Sequence, residues 1–186
     1  MNLWIDSVPE NRPSSDEMEA LIRSGIERVK AQTNGGVVGL VEHRPETWAE
    51  ASHCFENAAR KARESGGQII FGWTFQHRFV EQLSGAGYLV ATHHAVWHAP
   101  DTRLIDVTPY PDARHTPLGL GGSTIFLVDG SARPVERPGL IGPLPLRYFA
   151  LVDEPGLPEH LRRLTDEENR ACVALYGPDF LALTPD

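Results

Sequence analysis

Cysteine is scarce in this chain: its 186 residues hold two, Cys54 and Cys172. They do not form a C-x-x-C pair. That argues against a disulfide framework and against the usual structural zinc site, and two free thiols are the expectation. Positive charge is also short. Lys and Arg number 17 against 25 Asp and Glu, a formal net charge of -8. A protein that grips a phosphate backbone needs a basic surface, so no nucleic-acid partner is expected. Long apolar runs are missing too, and none approaches the roughly 20 residues of a bilayer-spanning helix. No membrane partner is expected. The opening stretch "MNLWIDSVPENRPSSDE" lacks the basic n-region and apolar h-region of a secretory signal, so a cytoplasmic location is the expectation. No internal repeat or low-complexity tract is present. What is there, 41% hydrophobic and 23% charged residues, is the composition of an ordinary globular protein. The length suits one domain, 1–186, with a real core.

The chain begins helical. "SSDEMEALIRSGIERVKAQTNGG" has Ser14 and Glu17 spaced for a capping box. Met18, Leu21, Ile22, Ile26 and Val29 make one apolar stripe, and Gly35 and Gly36 are placed to stop the helix. A short strand is expected at 37–41. "PETWAEASHCFENAARKARESGG" reads as a second helix, with Ala51, Cys54, Phe55, Ala58, Ala59 and Ala62 on one face. That face is mostly alanine, so a neighbour can approach closely. Its start is open: near Ser52, which places Cys54 in the first turn, or near Glu46, which does not.

After this helical part, 1–66, the period changes. Strands are expected at 68–75, 87–98, 103–108, 124–129 and 146–152 within a sheet part, 67–152. The Pro- and Gly-rich segments 110–123 and 130–145 read as loops. A last helix, 157–177, carries Cys172 as a core residue. Helices followed by a run of strands predict an α+β fold with an antiparallel sheet.

One stretch carries chemistry. "HHAVWHAPDTRLIDVTP" (93–109) folds in this reading as a hairpin around Pro100. Its return strand bears a lone Asp106 between Ile105 and Val107. A buried unpaired carboxylate is costly. Opposed residues in such a hairpin have numbers adding to about 200, which sets His94 across from Asp106, Cβ atoms roughly 4.5–5.5 Å apart. A slip of one residue brings up His93 instead. An Asp bound to a His fixes its tautomer and stabilises its imidazolium. Cys54 is the thiol upstream, and a thiol beside an imidazolium is the arrangement of a nucleophile.

A helical Cys, then "HAVW" on one strand and "IDVTP" on the next, resembles the transglutaminase-like branch of the papain-like cysteine enzymes. Arylamine N-acetyltransferases share that core. The likeness covers about residues 43–110, with Gly72-Trp73 where these families have a strand between the Cys and the His. It implies a papain-like or transglutaminase-like α+β fold, a nucleophile-bearing helix packed on an antiparallel β-sheet. By position it implies Cys54 as nucleophile, His94 as base and Asp106 as orienting acid, with no cofactor. The acetyltransferase motif Arg-Gly-Gly-x-Cys and the papain motif Cys-Gly-x-Cys-Trp are absent. Trp48 stands six residues before Cys54, where papain-like enzymes carry an oxyanion-stabilising Gln. Trp48 and the Cys54 backbone N–H are therefore the candidate oxyanion donors.

The expected function is thus a thiol-dependent hydrolase or acyltransferase on an amide or isopeptide-type bond. Its substrate would be a peptide, a protein side chain or a small amide, with the two loop segments flanking the cleft. Asn57, one turn after Cys54, is either a buried hydrogen-bonding post or a polar group of the site. His93 is a solvent-facing neighbour or a substrate contact. Two other readings stand beside this one. The same fold could serve as a non-catalytic binding module, or His53, Cys54, His93, His94 and His98 could hold a metal. Against the metal, His94 and His98 are about 13 Å apart on a strand and His93 points the other way.

Overall fold

The computed structural model describes residues 13–33, 36–80, 83, 85, 87–137 and 140–183. Helix α1 spans Ser15–Lys30 and opens on the expected capping box, in which Ser14 and Glu17 each satisfy the other's backbone N–H. Met18, Ile22, Ile26 and Val29 are its buried stripe. The helix ends earlier than its glycines suggested. The N–H groups of Gln32 and Thr33 turn back to carbonyls three residues behind, and the Thr33 hydroxyl takes the Lys30 carbonyl at 2.7 Å. A side-chain bond of that kind competes with the helical ladder. Gly35, one of the two expected stops, lies outside the described residues.

Five strands close into a barrel. They are β1 (Val37–His43), β2 (Gln68–Arg78), β3 (Tyr88–His98), β4 (Leu104–Asp106) and β6 (Ser123–Val128). Around the ring β1 pairs β4, β4 pairs β3, β3 pairs β2, β2 pairs β6, and β6 returns to β1. The β1–β4 pairing is parallel, so the sheet is not the purely antiparallel one expected. A parallel pair needs a long crossover, here everything from α2 to β3. Strand β5 (Gly119–Leu120) pairs β6, and β9 (Arg147–Ala150) extends β3 along Tyr88–Ala91. The ribbon β7 (Val135–Arg137) and β8 (Leu140–Gly142) stands apart. β5, β7 and β8 lie in the two segments expected to be loops. Two or three residues among prolines and glycines show no alternation, so nothing in their pattern marks them as strands.

The barrel interior is built from Val41, Val96 and Phe126, with Ile70, Leu104 and Val128 against them. Gly72, paired with His94, is where β2 and β6 come closest. A Cβ there would strike the Leu127 carbonyl oxygen and the Phe126 ring. Helix α2 (Cys54–Ser65) lies on the outer face, setting Phe55 and Ala58 against Ala95, Ile69 and Phe71. Ala58 and Ala95 are both fully buried, so helix and strand meet with little side chain between them. α1 covers Trp73, Leu89 and Leu127. α3 (Leu157–Tyr176) covers Tyr88 and Val90. Trp73 and Trp97 are packed, their indole N–H groups donating to Asp129 (3.0 Å) and to the Gly66 carbonyl (2.8 Å).

Candidate active site

Cys54 is the first residue of α2. Of the two helix starts left open by the sequence, the later is taken, because the preceding stretch is diverted. Asn57 binds Glu50 through both its amide atoms, holding residues before the helix in turns. Ser52 then adopts φ 67°, left-handed for a residue with a Cβ, at a cost of about 1 kcal/mol. His53 caps without a side-chain bond. The sulfur therefore sits where the unpaired N–H groups of a helix N-terminus gather.

His94 and Asp106 meet through a different register from the expected one. Trp97 pairs Ile105 and His98 pairs Leu104, so the numbers add to 202 rather than 200. Asp106 then lies diagonal to His94 on the same face, since a slip of two preserves side-chain direction. The longer reach is within an imidazole's range. His94 Nε2 and Asp106 Oδ2 are 2.9 Å apart. The hairpin closes at Ala99, whose N–H donates to the Arg103 carbonyl, with Thr102 at φ 73°.

Asp106 is fully engaged. Its Oδ1 accepts the Thr108 N–H at 3.0 Å, and its Oδ2 also accepts the Tyr110 hydroxyl at 3.2 Å. Tyr110 reaches Thr124 as well and stacks on His43, ring centroids 4.0 Å apart. Burial works against charge on both partners. For His94 it is the largest influence, but the Asp106 carboxylate, Cys54 and hydrogen bonds to both outweigh it and hold the imidazole well above its ordinary value. For Asp106 burial is again largest, and the His94 charge and bond with the Thr108 N–H keep the carboxyl below its usual range. Because Asp106 occupies Nε2, the nitrogen left for Cys54 is Nδ1. Burial, then the neighbouring Asp106, pushes the Tyr110 phenol up, so it stays a donor.

Not every candidate joins this group. His93 lines the cleft but is 3% exposed, and both its ring nitrogens are taken. Its Nε2–H donates to the Ala132 carbonyl and its Nδ1 accepts the Leu144 N–H, each at 2.8 Å. The ring therefore ties two loops to β3 among Phe55, Phe71 and Trp73. Asn57 is the post and not a polar group of the cleft, since its amide also bonds Thr108 at 3.2 Å. Trp48 lies beneath the Arg60 guanidinium, 4.1 Å from its ring centroid, and does not line the cleft. His98 bonds Gln68, and His53 sits beside Glu50. Among the described residues no group of three or more His, Cys, Asp or Glu is placed to hold a metal ion. Tyr110 and Thr108 were not singled out in the sequence. The signal available was "DVTPY", an Asp followed at two and four residues by hydroxyl side chains.

Cys54 and His94 open onto a cleft of about 810 Å³. Tyr110, Pro111 and Pro117 from one of the two Pro- and Gly-rich segments line it, and Pro143 and Leu144 from the other. The arrangement can activate a thiol, hold an imidazolium beside it and admit a ligand along an open groove. No protein-family model, curated protein or solved structure matches this chain. No helix among the described residues is long and apolar enough to cross a membrane.

Proposed function

We propose that the chain is a thiol-dependent hydrolase or acyltransferase of papain-like or transglutaminase-like architecture, acting on an amide or isopeptide-type bond. The observation that carries this is His94, buried and held between Asp106 and the Cys54 thiol at a helix N-terminus. In the reaction the Cys54 sulfur attacks the substrate carbonyl carbon. The oxyanion that forms is met by the Cys54 backbone N–H and its neighbours at the helix start. His94 passes its proton to the leaving nitrogen as the C–N bond breaks, leaving a thioester on Cys54. The neutral imidazole then takes a proton from water or from an amine as that nucleophile attacks the thioester. Cys54 is released with an acid or a new amide as product. Asp106 stays ionised throughout and steadies the imidazolium.

Iodoacetamide labelling followed by peptide mapping tests the reading, with Cys172 as internal reference. Burial, then Glu168, pushes the Cys172 thiol up to about 11, and the residue is 5% exposed. Cys54 should label much faster at pH 6–7, and His94→Ala should slow it by about 100-fold. Cys54 and Cys172 labelling at one slow rate would reject the proposal and leave a binding module.

A further inference from the structure

The cleft has a long arm whose floor is the β2–β3 ribbon. Successive cross-strand pairs along it are Gly72–His94, Thr74–Thr92, Gln76–Val90 and Arg78–Tyr88. Of these residues all but Gly72 line the cleft, as the alternation of side chains along a strand requires for even positions. From Gly72 to Arg78 is six residues of strand, roughly 20 Å at about 3.3 Å each. The imidazole stands at one end of the arm and the guanidinium at the other.

Arg78 is oriented by neutral acceptors. Its Nη2 donates to Gln76 Oε1 at 2.8 Å and to the Arg114 carbonyl at 2.6 Å. Both are neutral acceptors, and among the described residues no carboxylate pairs with it. Of the other arginines described on a strand, Arg137 is turned to the Tyr176 carbonyl and Arg147 lies over the Trp73 ring, while Arg103, just before β4, is paired with Asp101. A guanidinium has five donors in a planar fork that suits an oxyanion, and Nη2 accounts for two of them. The two carboxylates of the cleft sit elsewhere. Glu168 accepts the Leu146 N–H and the Cys172 thiol, and Glu56 is in the first turn of α2. Between the two ends the polar side chains of Thr74, Thr92 and Gln76 line the cleft.

We infer that Arg78 is the anchor for an anionic group on the substrate, so that the ligand is an extended chain carrying a carboxylate or phosphate roughly 15–20 Å from the reacting carbonyl. This rests on the proposed Cys54 chemistry for its reactive end but not for its anion site, and two readouts separate them. The first is equilibrium binding of fluorescent hexapeptides to Cys54→Ala protein, with the far end Glu, phosphoserine or Gln. Glu or phosphoserine should bind roughly tenfold or more tightly than Gln, and Arg78→Gln should remove the difference. Whichever anion binds more tightly names the source. Equal binding of all three peptides, or a preference that survives Arg78→Gln, overturns the inference. The second readout is alkylation of Cys54 in the wild-type protein by bromoacetyl peptides of two to eight residues ending in the preferred anion. Rates should peak at about five to six residues. A rate that ignores length overturns the placement of the two ends. If peptides bind through Arg78 and Cys54 reacts with none of them, the anchor stands and the thiol chemistry fails.

Discussion

Acid should destabilise this protein through a residue outside the triad. His93 has no room for a second proton, because one nitrogen accepts the Leu144 N–H and the other donates to the Ala132 carbonyl. Protonation would break the first bond and bury a charge. Burial is the largest cause, and it lowers His93 from 6.5 to about 4 despite the bond to Ala132. Between those values the unfolded chain binds a proton that the folded chain refuses. Folded stability therefore falls as pH falls through this window, by at most about 1.4 kcal/mol per pH unit and about 3 kcal/mol in all. The triad adds little slope there. His94 is raised, so its contribution is fully present below 6.5 and is lost only as pH rises through its folded value. Asp106 is lowered from 3.8, so its contribution is lost only below the window. The perturbation to make is His93→Gln, whose amide can still accept from Leu144 and donate to Ala132 but does not titrate. Urea unfolding, followed by tryptophan fluorescence at pH 7, 6, 5 and 4.5, gives the stabilities. The variant should be about 1–2 kcal/mol weaker at pH 7, and the gap should close and then reverse as the pH falls to 4.5. Parallel curves for the two proteins would refute the argument.

Tyr110→Phe removes one of the donors to Asp106 while the Thr108 N–H and His94 remain. It should cost about 1 kcal/mol of stability, slow Cys54 alkylation less than Asp106→Asn does, and be read by the same labelling assay. Asn57→Ala should cost about 2–3 kcal/mol in urea unfolding, because Glu50 and Thr108 lose buried partners. It should also slow labelling, since the turn that delivers Cys54 is released. Thr102→Gly relieves a β-branched residue at positive φ and should stabilise the fold by about 1 kcal/mol, read as a higher urea midpoint.

The sequence showed that Asp106 needed a partner and that His94 was within reach, because a lone carboxylate in an apolar strand is a local anomaly. It did not show the register. The Ala99–Arg103 turn sets the pairing, and neither Pro100 nor Asp101 specifies how many residues the turn spends. His93 and His94 could not be sorted by type. Their roles follow from which face of β3 meets loops 129–134 and 143–146, a contact far along the chain. Trp48 was placed by the six-residue offset from Cys54 that the resemblance implies, and in the fold that offset spans turns, which direct Trp48 to Arg60 instead. The β1–β4 pairing is parallel and brings together segments some sixty residues apart, so no local pattern could announce it. The helix stripe and the capping box of α1 were legible because each is written within a few residues.

The small contact between Ala58 and Ala95 bears on how such a site can be tuned. Cys54 rides on the helix, whereas His94 and Asp106 belong to the barrel, and beside the contact of Phe55 with Phe71 the two bodies meet through side chains of a single methyl. That seam acts as a shim. A larger residue at Ala58 would lift the helix and widen the thiol–imidazole spacing while leaving the His94–Asp106 bond as it is. Reactivity can thus be set by a residue that touches neither substrate nor proton. Chains sharing this architecture can differ in nucleophile strength without differing in any reacting group.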